Sequence, residues 1–145
     1  MQTTGDSPQL DLVRECVLLG RRWRARVDER MKPKGMTLAR STVLYWLSVL
    51  PETVTQRELA ETVGIEGPTL VRQLHALESQ GLIERVPFDG DRRAKGIRLT
   101  DAALPLLLTI KDITDALCAE HFNKLDKRRL ASATRLVSDA RAALE

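Results

Sequence analysis

The stretch TQRELAETVGIEGPTLVRQLHALESQG, residues 55–81, decides the fold. It opens with Thr55-Gln56-Arg57-Glu58, a Ser/Thr-x-x-Glu capping box: the Thr55 hydroxyl can accept the Glu58 N–H while the Glu58 carboxylate reaches back to the Thr55 N–H. The short helix that follows carries Leu59, Ala60 and Val63 and breaks at Gly64. Pro68 suits the first turn of a second helix, where its missing N–H costs nothing. Leu70, Leu74 and Leu77 line one face of that helix, and Gly81 stops it as a left-handed cap. Small Ala60 lets the two helices approach, Gly64 supplies the sharp turn, and Ile65 and Leu70 plug the space between them. The pattern is that of a helix-turn-helix.

Immediately afterwards the period changes from helical to alternating. Residues 82–86 and 96–100 read as two short strands, separated by a turn-rich loop, 87–95, with a basic tip at Arg92, Arg93 and Lys95. A hairpin at this place turns the motif into a winged helix-turn-helix over residues 37–100, with the wing at 82–100.

Working outward, Leu10, Val13, Val17, Gly20, Val27 and Met31 repeat at helical spacing, and Pro33 and Gly35 end that helix. The polar residues 1–9, with Gly5 and Pro8, predict a frayed start. Thr37 can cap a second helix that runs to a stop at Pro51. Thr100 or Asp101 can cap a long helix reaching about His121, and Asp126 a final one with Leu130, Ala133, Val137, Ala140 and Leu144 at three/four spacing. The expected fold class is mainly α with a small β hairpin, a winged helix-turn-helix flanked by N- and C-terminal dimerisation helices (10–33 and 102–144) in one domain spanning 1–145.

Composition narrows the function classes. The chain has 145 residues, 43% of them hydrophobic, which is enough for one packed domain. Its aromatic residues are Trp23, Tyr45, Trp46, Phe88 and Phe122, too few for a base-stacking platform for single strands or RNA. Apolar runs such as Leu104 to Leu108 fall far short of the ~20 residues of a membrane span, so no membrane is expected as partner. No secretory signal is visible, and Cys16 and Cys118 are too few for a disulfide framework, which points to a reducing cytoplasm. No Gly-x-Ser-x-Gly, His-Glu-x-x-His, P-loop or dinucleotide glycine pattern occurs, so no enzyme and no cofactor are expected. Net charge is +3, and the whole surplus lies in residues 1–53, leaving 54–100 neutral in sum. Binding to an anion must therefore depend on where single charges sit rather than on bulk basicity.

With Leu70, Leu74 and Leu77 inward, Thr69, Arg72 and Gln73 face outward near the start of the second helix, 67–80, the part of a recognition helix that reaches base edges in the major groove. Arg72 suits a bidentate contact to guanine, Gln73 suits adenine, the Thr69 methyl suits thymine, and Pro68 adds apolar contact. Arg92 and Arg93 suit a narrow, electronegative minor groove, with Asp91 orienting Arg92. Lys95, Gln56 and Arg57 are phosphate candidates, the last two at a helix N-terminus.

Three segments together resemble one family. Gly64-Ile65-Glu66-Gly67-Pro68-Thr69-Leu70-Val71-Arg72-Gln73-Leu74, then Leu77-Glu78-x-x-Gly81-Leu82-Ile83, then Asp91-Arg92-Arg93-Ala94-Lys95-x-Ile97-x-Leu99-Thr100 are similar to the MarR family of bacterial regulators, and in the wing and helix start to its SlyA branch. The resemblance implies a homodimer on palindromic double-stranded DNA. It also implies a small aromatic carboxylate or phenolic effector in a crevice beside the dimer helices, at positions matching Arg21, Ser41 and Tyr45. Pairing the first and last helices across a two-fold axis would bury their apolar stripes and set two recognition helices about 34 Å apart, one DNA turn.

Other readings stand beside this one. A winged helix can be a protein-interaction module without specific DNA binding, and Cys16 on the first helix would serve a thiol-based redox sensor. Reduced structural thiols fit the two cysteines better, because Tyr45 is the only tyrosine available to activate one. Cys118-x-x-His121 gives two metal ligands on one face, but a structural zinc needs four and His75 is the only other histidine, so no metal is expected.

Overall fold

A computed structural model describes residues 7–88 and 91–145, with the side chains of 91 and 92 excepted. Six helices and a small antiparallel sheet follow one another as α1 (Pro8–Met31), α2 (Leu38–Val49), β1 (Val54–Thr55), α3 (Gln56–Val63), α4 (Gly67–Ser79), β2 (Ile83–Phe88), β3 (Asp91–Leu99), α5 (Leu104–Phe122) and α6 (Lys127–Ala142). The chain divides into two compact units, through Thr114 and from Asp115 onward.

In the first unit the capping signals act as the sequence reading expects. Thr37 Oγ1 accepts from the Arg40 N–H, and at Thr55 both arms of the capping box form: Glu58 N–H to Thr55 Oγ1 at 3.2 Å and Thr55 N–H to Glu58 Oε2 at 2.7 Å. Gly64 (φ 64°) and Gly81 (φ 70°) take the left-handed conformation that ends α3 and turns the chain out of α4. After α4 the Leu82 N–H bonds the Leu77 carbonyl and the Gly81 N–H bonds that of Glu78, so the helix end leaves few carbonyls unmet. The core gathers Met31, Val43, Leu44, Leu59, Leu70, Leu74, Leu77, Ile83 and Ile97, with contributions from each of α1 to α4 and from the sheet.

Four details differ from the sequence reading. The first helix starts at Pro8 rather than near Leu10, because the Ser7 side chain caps it and proline fits its first turn. The long helix has no side-chain cap from Thr100: the Thr100 hydroxyl donates to the Gly81 carbonyl, and a short 3-10 turn, Asp101–Ala103, precedes α5. The wing strands are longer than 82–86 and 96–100 and absorb most of the expected loop. Their pairing runs from Ile83↔Leu99 to Pro87↔Lys95, with a bulge before Phe88↔Asp91. Pro87 is tolerated because β2 is an edge strand. The hairpin is also part of a three-stranded sheet, ordered β1-β3-β2, in which Val54↔Ile97 and Thr55↔Gly96 tie the entrance of α3 to the wing. Two residues with no period of their own cannot announce a strand; only the partner does.

In the second unit Asp126 caps α6, its carboxylate accepting the Arg129 N–H as expected. Leu130, Leu136 and Val137 on α6 are exposed, as are Leu10, Val13, Val17, Leu18 and Leu19 on α1 in the first unit. No helix among the described residues is long and apolar enough to cross a membrane.

Candidate nucleic-acid interface

Helix α4 separates its two faces cleanly. Leu70, Leu74 and Leu77 are buried, while Pro68 and Arg72 are exposed and Thr69 and Gln73 half-buried on the outer side. Arg72 Nη2 donates to Thr69 Oγ1 at 3.3 Å, one turn back, so the guanidinium lies along the outer face. Val71, at 37% exposed, lies beside Arg72. The sequence reading passed over it; the available signal was an apolar residue standing off the Leu70–Leu74–Leu77 stripe. Glu66 caps α4 without a side-chain bond, which leaves the first N–H groups of the helix unclaimed by the capping residue.

At the start of α3 the two phosphate candidates are already engaged within the protein. Arg57 Nε pairs with Glu61 at 3.0 Å on the open surface, an exchange that costs little to break. Gln56 is half-buried, and its Oε1 accepts from Arg85 Nη1 at 3.4 Å, leaving the amide NH2 as its donor. Glu58 sits below its ordinary pKa because it accepts the Thr55 backbone N–H and, secondarily, the Thr55 hydroxyl.

In the wing, Arg93 and Lys95 are exposed on β3. Asp91 and Arg92 begin the same strand, and the expected pairing of their side chains lies outside the described residues. Arg98 Nε bonds Glu84 Oε1 at 2.6 Å across the two strands, stiffening the hairpin through a directly opposed pair. Arg85, a residue the sequence reading did not single out, bridges toward Glu78 of α4 at 3.4 Å.

The residues matched to an effector crevice are placed differently from one another. Arg21 is exposed on α1. Ser41 is 2% exposed and its hydroxyl donates to the Thr37 carbonyl at 2.9 Å, so its proton is committed to the helix backbone. Tyr45, one turn later, is 43% exposed and meets Trp46 edge-to-face with ring centroids 5.4 Å apart. Cys16 and Cys118 are both free thiols, exposed in the single chain. Among the described residues no group of three His, Cys, Asp or Glu side chains is gathered for a metal ion.

Fold and interface together define a winged helix-turn-helix protein. Residues 34–94 match the sequence profile described as MarR family. The chain is 39% identical to a protein solved as transcriptional regulator PA3341, covering 89% of this chain and 94% of that one with a TM-score of 0.79. It also shares its fold, at 20% identity, with the S. aureus MepR–DNA complex (92% and 97% covered, TM-score 0.69) and, at 21% identity, with wild-type E. coli MarR in its apo form (87% and 93% covered, TM-score 0.69). The chain belongs to the MarR family of transcriptional regulators.

Proposed function

We propose that the protein is a dimeric, sequence-specific DNA-binding regulator of the SlyA-like branch. Helix 67–80 reads the major groove and wing Arg92 enters the minor groove. The observation that carries this reading is the division of α4: its leucines are buried while Pro68, Thr69, Arg72 and Gln73 form a continuous polar and apolar outer edge at the N-terminal end. That MepR, of the same fold, has been solved with DNA supports the same use here. Lys95, Arg57 once released from Glu61, and the Gln56 amide would contact phosphates, positioning the helix without reading sequence.

The dimer rests on the exposed apolar residues of α1 and α6, which a second copy of the chain would cover. An aromatic acid or phenol would act as effector through the Arg21 cation and the Tyr45 ring and hydroxyl. Ser41 would contribute shape there, since its donor is already used.

Selection of duplexes from a random pool tests the reading first, because the spacing of selected half-sites also reports the dimer. Fluorescence polarisation with the selected duplex should then weaken steeply with salt, and much more on Arg92→Ala than on Arg141→Ala, whose arginine sits far along α6 against Glu145. Equal affinities for the two variants overturn the wing assignment. Failure to bind any duplex in a salt-sensitive way leaves the protein-interaction module as the better account.

A further inference from the structure

Alternation along β2 places Ile83 and Arg85 on the same side of the wing, and Arg85 stands directly across from Ile97 of β3. Ile83 is buried and Ile97 is 0% exposed, so Arg85 occupies a position on the core-facing side of the sheet. Its side chain retains only 24% exposure. A guanidinium is costly there unless it is paired. It has two partners on two different helices: Nε lies 3.4 Å from Glu78 Oε2 in the last turn of α4, and Nη1 lies 3.4 Å from Gln56 Oε1 at the first residue of α3.

We propose that Arg85 is a positioning residue that clasps both helices of the helix-turn-helix to the wing and so fixes the angle at which α4 and the wing tip meet DNA together. The planar fork of arginine suits this, because two donors held in one plane can serve two acceptors on separate elements, which a lysine ammonium on a flexible stem does less well. The Arg57–Glu61 pair stays within α3 and the Arg98–Glu84 pair within the sheet. Glu78 has a further reason to hold a cation. It lies near the C-terminal end of α4, where the helix dipole disfavours a carboxylate. Both contacts are at the long end of hydrogen bonding, so their value lies in orientation more than in strength.

Such a role separates orientation from stability. Arg85→Met keeps the aliphatic length beside Ile83 and Ile97 and removes the charge, and because the Glu78 carboxylate it leaves behind is exposed to water, the cost to folding is small. The melting temperature should stay within about 2 °C of wild type, while affinity for the duplex selected by the wild-type protein falls about tenfold. Affinity for an unrelated duplex of equal length should hold, because phosphate contacts do not depend on register. Glu78→Gln, at an exposed acceptor, should lower selected-duplex affinity in the same direction. The double variant should be no worse than Arg85→Met alone, since both remove one interaction. Amide hydrogen exchange without DNA should show faster exchange across residues 83–99 in Arg85→Met.

Wild-type affinity of Arg85→Met for the selected duplex overturns the proposal, as does an equal loss on both duplexes or a loss that follows the melting temperature. Unchanged wing exchange overturns it independently of DNA. The inference rests on the DNA-binding reading, and the two fail differently: a wild-type protein that selects no duplex sinks that reading, while the exchange measurement still decides the clasp.

Discussion

Gly96 is where the wing tolerates least addition. It lies in β3 between Thr55 of β1 and Val86 of β2, and a Cβ built there would stand 2.2 Å from Thr53 Cγ2 and 3.4 Å from both Phe88 Cδ2 and Val86 Cγ2. Carbon atoms in contact keep about 3.5–4.0 Å apart, so the Thr53 methyl must retreat by more than ~1 Å. Rotating χ1 of a β-branched residue exchanges one substituent for another or for a crowded rotamer, so part of the adjustment falls on the backbone leading into β1. Overpacking of this kind costs about 1–3 kcal/mol, and replacing glycine by alanine within a strand recovers about 0.5–1 kcal/mol. Gly96→Ala should therefore lose about 1–2 kcal/mol, seen as a melting temperature lower by about 2–8 °C at this chain length. Urea and thermal unfolding at one fixed protein concentration would measure it, since self-association would otherwise shift the midpoint. Thr53→Ala removes the clashing methyl, so the double variant should regain most of the loss, with a coupling of about 1 kcal/mol. A Gly96→Ala protein as stable as wild type, or one that Thr53→Ala fails to relieve, refutes the packing argument.

Gly64→Ala should cost about 1–2 kcal/mol from its left-handed φ alone, because nothing lies within 4 Å of the added carbon; Gly64→Asn should recover part of it in the same unfolding assay. Leu74→Ala empties a fully buried site under the recognition helix and should lose about 2–5 kcal/mol by urea unfolding. Glu58 has a folded pKa depressed first by the Thr55 N–H and then by its hydroxyl, so the capping box stabilises the fold above the ordinary glutamate value and that contribution disappears as pH falls through the folded value. The stability gap between wild type and Thr55→Ala should accordingly shrink when melts are taken below the ordinary carboxylate range, and a gap independent of pH contradicts the linkage. Arg72→Ala should relax discrimination at one base pair of a selected duplex by about 1–3 kcal/mol, measured by competition with single-base variants.

Much of the reader was legible along the chain because its signals are local. The Thr55–Glu58 box, the Gly64 and Gly81 turns and the Leu70–Leu74–Leu77 stripe each depend on residues within a few positions of one another, and each forms as the spacing predicts. What escaped has partners far away in sequence. β1 exists only through Ile97 and Gly96, about forty residues on, and the bridging role of Arg85 needs Glu78 and Gln56 on two other elements. Ser41 shows the converse. Its position matched an effector crevice through the family resemblance, but its hydroxyl is turned onto the Thr37 carbonyl, which leaves Tyr45, one turn on, the exposed member of the pair.

The sequence by itself determined the order of the helices and of the two wing strands, the turn between α3 and α4, and which side of α4 would be buried. These follow from backbone capping, left-handed glycines and hydrophobic period, all of which act within a helical turn or two. Only the tertiary structure decided how far the wing strands pair, that a third strand ties them to α3, and that a charge on the core side of β2 spans two helices. Those depend on which distant atoms are brought within a few ångströms, and the energy of such contacts exists only once the chain has closed the loops between them.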